Sequence, residues 1–121
     1  VIGEDTIFVG ALSDQSSIIA NYSYRAGNML NDFIVAHDDV LFSGDASGTS
    51  FSAPRVSGAA ALVRQKFPNL TGIQIKQVLL QTATDLGASG PDNIYGYGKL
   101  NLENAMSPQG RIIAKWEYQK L

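Results

Sequence analysis

Ser47-Gly48-Thr49-Ser50-Phe51-Ser52-Ala53-Pro54-Arg55-Val56-Ser57-Gly58-Ala59-Ala60-Ala61-Leu62 is a glycine-bearing turn that runs straight into a run of small, helix-compatible residues. The first N–H groups of a helix have no intrahelical partner and point out of its end. The helix dipole adds partial positive charge there. A hydroxyl at such a junction, as at Ser50, is exposed to reactants and lies beside donors suited to an oxyanion. The stretch predicts a helix from Ser50 to about Lys66, with Pro54 in its first turn, where a missing N–H costs little. Ala53, Val56, Ser57, Ala60 and Ala61 fall at helical spacing and predict the buried face. Their small size implies close approach by neighbours, hence a helix inside a larger body.

The flanks read as alternating strands and helices. Residues 6–12 are a nearly continuous apolar run, as in a strand buried on both faces of a parallel sheet. Residues 18–24 suggest a second extended segment, 32–36 another buried strand, and 40–42 a further short one. His37, Asp38 and Asp39 read as a polar loop. Thr71 and Gln74 form a capping-box pair that opens a helix to about Thr84, with Ile75, Val78, Leu79 and Thr82 on one face and Gly87 as its stop. Asn101 caps a short helix over 102–106. Residues 107–110 form a linker, and the alternation across 111–118 predicts one half-buried strand.

Composition narrows the function classes. The 121 residues are 45% hydrophobic and 17% charged, with a net charge of −2. That is a globular balance which gives no reason to expect nucleic acid or an anionic membrane as partner. No apolar run is long enough to span a bilayer. The absence of cysteine excludes disulfides and thiolate metal sites, and a single His excludes a multi-His zinc centre within these residues. The N-terminal residues carry neither a basic region nor a hydrophobic signal core, and Val1 is not an initiator methionine, which suggests a fragment or processed chain.

The segment Gly48-Thr49-Ser50-Phe51-Ser52-Ala53-Pro54-Arg55-Val56-Ser57-Gly58 resembles the nucleophile motif of the subtilisin-like serine proteases. The resemblance extends from about Thr6 to Ala105 and includes Tyr95-Gly96-Tyr97-Gly98-Lys99-Leu100-Asn101, which is similar to that family's closing glycine-rich turn. It implies an α/β chain, the C-terminal portion of a three-layer α/β/α subtilisin-like fold with a mostly parallel sheet. Residues 1–106 would be the C-terminal part of the peptidase domain, and 107–121 a linker plus a peripheral strand or the start of a downstream segment. Ser50 would be the catalytic nucleophile, its own N–H would help bind the oxyanion, and Thr49 and Gly48 would shape the turn. The implied reaction is peptide-bond hydrolysis through an acyl-enzyme on a protein or peptide substrate. The family is secreted or cell-envelope associated. The resemblance implies no metal and no cofactor in this segment, and allows calcium in a full-length member.

A serine nucleophile requires a base, and the base an orienting carboxylate. Asp14, His37 and Ser50 have the right chain order, but the family places its catalytic His far upstream of the serine, whereas His37 precedes Ser50 by only 13 residues. His37 falls where the family has a proline, so it reads as a polar loop residue, with Asp38 and Asp39 as solvated acids. Arg55 stands where the family has His directly after the motif proline. The family's oxyanion Asn also lies upstream of the region covered. The 121 residues alone are therefore expected to be inactive and to partner with the remainder of the protease chain. Exposed apolar area and an open sheet edge also predict self-association, with 111–118 as the exchanged element. The competing reading is a non-catalytic interaction or assembly module that has kept the nucleophile-end scaffold.

Overall fold

The structure, a computed structural model, describes residues 6–13, 17–38, 52–114 and 117–120, with the backbone alone described at 112–114 and 117. Strand β1 (Phe8–Leu12) and strand β2 (Phe33–His37) pair in parallel, with Phe8 opposite Phe33 and Leu12 opposite His37. Both strands are apolar up to the terminal His37 of β2 because both faces are covered. On one face, Ile34 and Ala36 pack with Val56, Ala59 and Val63 of helix α1 (Ser52–Lys66) and with Ile75, Val78 and Leu79 of helix α2 (Gly72–Gln81). On the other, Leu12, Phe33 and Val35 pack with Ile19, Ala26 and the flanking Leu30, Leu86 and Tyr95. The chain is thus an α/β layer structure.

The closing glycine-rich turn extends the sheet beside β2. Tyr97 N–H donates to the Phe33 carbonyl at 2.9 Å, Val35 N–H to Gly98 at 2.9 Å, and Leu100 N–H to Val35 at 2.8 Å. Lys99 then exchanges two bonds of 2.8 Å with Thr84. Gly96 (φ 59°) and Gly98 (φ 112°) both sit in the left-handed region. A Cβ at Gly96 would run into the Phe33 carbonyl oxygen and one at Gly98 into that of Thr84. Only glycine allows both the conformation and the approach.

The capping box that opens α2 is complete. Gln74 N–H donates to Thr71 Oγ1 at 3.2 Å, and Gln74 Oε1 accepts from Thr71 N–H at 2.9 Å. Asn101 Oδ1 caps helix α3 (Leu102–Met106) by accepting from Asn104 N–H at 2.9 Å.

Five expectations need correction. Residues 18–24 are not a strand: they form bends and turns with one bridge, Leu12 to Ile19, and a kinked 3-10 helix follows over Gly27–Asp32. Helix α2 stops at Gln81 rather than near Thr84, because the Thr84 backbone is engaged by Lys99. Gly87 has φ 73° but lies beyond the helix and is not its stop. The buried face of α1 is Ser52, Val56, Ala59 and Val63, whereas Ala53, Ser57 and Ala61 are exposed and Ala60 is half-buried.

Finally, 111–118 is not one strand. Strands β3 (Gly110–Ala114) and β4 (Glu117–Lys120) form an antiparallel hairpin with a register shift between Ile112 and Ala114. Strand β4 is held on α2 within the same chain. Gln81 Nε2 donates to the Tyr118 carbonyl and Gln81 Oε1 accepts from Lys120 N–H, both at 2.7 Å. Tyr118 itself is buried in the helical core. The expected strand over 40–42 lies outside the described residues, as does the expected helix start at Ser50.

Candidate active site

Open α/β sheets present their ligands at the carboxyl ends of their strands, and the described residues that flank the candidate nucleophile segment include that end of β2. By sequence, Gly48, Thr49 and Ser50 belong to the segment that joins β2 to α1; these three residues, with Asp14 and Asp39, lie outside the described residues. The two ends of that segment are described. At one end β2 terminates in His37, followed by Asp38; at the other, α1 begins at Ser52.

Ser52 is fully buried, and its Oγ donates to the Ala36 carbonyl at 2.9 Å. This bond ties the first turn of α1 to the last turn-out of β2. Ala53, Pro54 and Arg55 follow on exposed positions, so Arg55 lies on the outer side of the first helical turn.

His37 and Asp38 both depart from the loop reading. His37 is the last residue of β2 and is half-buried, with Nδ1 enclosed and without a hydrogen-bond partner among the described residues. Asp38 is not a solvated acid: it is 4% exposed and accepts a hydrogen bond from the Tyr22 hydroxyl. This bond fastens the 18–25 turns to the end of β2, and Arg25 Nη1 stiffens those turns by donating to the Ala20 carbonyl at 3.0 Å and the Ser23 carbonyl at 2.6 Å. The sequence signal for Ser52 is a hydroxyl two positions past the candidate nucleophile. No pattern in the sequence pairs Tyr22 with Asp38.

Away from this edge, Lys76 of α2 is buried and forms a 2.6 Å ion pair with Asp32. Burial raises the pKa of Tyr97 above its ordinary value, and the nearby charge of Asp32 raises it further. Burial also raises that of Tyr118. Among the described residues, no three His, Asp or Glu side chains come together to hold a metal ion, and no helix is long and apolar enough to cross a membrane.

A parallel sheet covered on both faces, followed in the chain by a Gly-Thr-Ser segment and a small-residue helix, is an α/β scaffold. The comparisons with known proteins narrow it. Residues 39–98 match the Subtilase family. An extracellular serine protease of Serratia marcescens is 46% identical over 72 residues, which are 60% of this chain and 7% of that protein. Serotype-specific antigen 1 of Mannheimia haemolytica is 36% identical over 118 residues, 86% of this chain and 13% of that protein. Among solved structures, MycP1 from Mycobacterium smegmatis superposes with a TM-score of 0.68 at 32% identity, covering 83% of this chain and 29% of that one. The chain belongs to the subtilisin-like serine protease family, and it spans a small part of the length of these relatives.

Proposed function

We propose that the chain is the nucleophile-bearing, C-terminal part of a serine endopeptidase domain that hydrolyses peptide bonds through an acyl-enzyme on Ser50. One observation carries this reading: the Gly48-Thr49-Ser50 segment links the carboxyl end of β2 to the buried start of α1, inside the stretch that matches the subtilases. A base removes the Ser50 hydroxyl proton as Oγ attacks the substrate carbonyl. The Ser50 N–H, in a turn shaped by Thr49 and Gly48, helps hold the oxyanion. The base passes that proton to the leaving amine as the peptide C–N bond breaks, then takes a proton from the water that attacks the acyl-enzyme and returns it to Ser50 Oγ as the carboxylic acid product leaves.

The base and its carboxylate come from the remainder of the protease chain. His37 does not supply the base. His37 precedes Ser50 by only 13 residues, whereas the subtilisin-like proteases place the catalytic His far upstream of the serine. These 121 residues alone are therefore inactive. The remainder of the domain also covers the exposed small-residue side of α1. Residues 107–121 lie outside the peptidase part, the substrate is protein or peptide, and the reaction needs no cofactor. The extracellular and autotransporter relatives support a secreted or cell-envelope location.

The test is a fluorophosphonate probe on the full-length protein, with peptide mapping of the label. The expected result is a label on Ser50, and loss of both label and peptide hydrolysis in Ser50→Ala. Unaltered hydrolysis in Ser50→Ala removes the assignment. A folded full-length protein that neither takes the label nor hydrolyses peptides is a non-catalytic assembly module.

A further inference from the structure

Ser52 is an unusual residue to bury. Its relative exposure is 0%, and an alanine would fill most of the same space without a polar atom to desolvate. The 2.9 Å bond from Oγ to the Ala36 carbonyl offsets that desolvation and adds direction. The three residues after it are exposed, and the next buried contact of α1 is Val56, a full turn later. Ser52 is thus the one buried anchor of the first helical turn among the described residues. The strand end that it grips is itself held, since the adjacent Asp38 is buried and takes the Tyr22 hydroxyl.

Ser50 lies two residues before this anchor, so their Cα atoms are within about 7 Å by chain geometry alone. Attack on a carbonyl requires reacting atoms placed to a fraction of an ångström, and a misplacement of about 1 Å can cost a hundredfold. Resting on the reading of Ser50 as nucleophile, we propose that Ser52 is a positioning residue for acyl transfer. Its bond to Ala36 fixes the distance and rotation of the α1 entry relative to the sheet edge, two peptide units along the chain from Ser50. Ser52 exchanges no proton and forms no bond to substrate, so its loss reduces kcat and leaves KM nearly unchanged.

The experiment compares wild type, Ser52→Ala and Ser52→Thr in the full-length protein, with Val63→Ala as a control that weakens the same helix away from its entry. In Ser52→Ala, kcat and the rate of fluorophosphonate labelling at Ser50 should both fall about ten- to a hundredfold. KM should stay within about twofold, and Ser52→Thr, which keeps the hydroxyl, should recover most of the loss. Val63→Ala should lower the melting temperature at least as much while keeping kcat. Ser52→Cys retains the volume and weakens the hydrogen bond, so it reads the same quantity if Ser52→Ala does not fold. Wild-type rates in Ser52→Ala, or a loss that follows only the unfolded fraction as in the control, overturn the positioning role. A wild type unlabelled at Ser50 overturns the nucleophile reading and this role with it.

Discussion

Helix α1 has two sides made of nearly the same residues. One side, Ser52, Val56, Ala59 and Val63, is buried against β1, β2, α2 and α3. The other, Ala53, Ser57, Gly58, Ala61 and Leu62, is exposed, with Leu62 at 41%. A solvent-facing helix surface ordinarily carries long charged side chains. This one carries almost none between Pro54 and Val63 except Arg55. The buried side shows what small residues do when they have a neighbour, since they let a strand approach. The exposed side has the same design and lacks the neighbour among the described residues. The proposed function accounts for the difference by a covering segment from the remainder of the protease domain.

The largest expected effect lies on the buried side. Val63→Asp places a carboxylate at a position with 0% exposure and no cationic partner in its apolar cluster. A loss of roughly 3 kcal/mol or more should leave the 121-residue chain unfolded in a denaturant melt. Wild-type stability would show that this side is not the core side.

A second test concerns the other partner of that core, β4. The Tyr118 hydroxyl is buried without a hydrogen-bond partner among the described residues, so Tyr118→Phe should change stability by less than about 1 kcal/mol near neutral pH. At alkaline pH it should matter. Folding raises the pKa of Tyr118 and Tyr97 above their ordinary 10.0. Below that value, folded and unfolded chains both hold the protons, and the contribution is fully present. Above it the unfolded chain loses its protons first, so stability falls as pH rises through the folded values. Tyr118→Phe should make this fall shallower, which a series of thermal melts above pH 10.0 would check; an unchanged slope would contradict the burial argument.

The smallest effect belongs to the exposed side. Ala61→Asp should cost the 121-residue chain no more than about 1 kcal/mol, chiefly through helix propensity, because position 61 is exposed. A large loss in a denaturant melt would show that this side already has a neighbour.

The two sides also explain what was legible in the sequence. Strong contrast was readable: the apolar runs that became β1 and β2, the Thr71–Gln74 box that opens α2, and the Asn101 cap of α3. The buried side of α1 was not, because Ala, Ser and Gly differ too little in hydropathy to mark one side from the other. The choice among Ala53, Val56, Ser57, Ala60 and Ala61 was therefore right at Val56 and in part at Ala60, which packs half-buried against the core, and wrong at the other three. The β3–β4 hairpin was hidden because Lys115-Trp116, between the strands, contains no Gly, Pro, Asn or Asp to signal a turn. The register shift also breaks the alternation at Ile113. At the site, the Gly-Thr-Ser segment was plain in the sequence. The burial of Asp38 and the Ser52–Ala36 bond were not, because both depend on contacts between segments distant in the chain.

In the whole protein the exposed side of α1 is expected to be covered. The 121 residues contain no cysteine, so Ala61→Cys introduces a thiol whose peptide is unambiguous in a digest. The measurement is the rate of alkylation of that thiol in the native full-length protein relative to the same protein in denaturant. Protection is expected in the native state, with reaction at least about tenfold slower than in denaturant, the signature of a thiol closed off from solvent. Equal rates in the two states would contradict it, because Ala61 would then face solvent in the complete protein as it does in this chain.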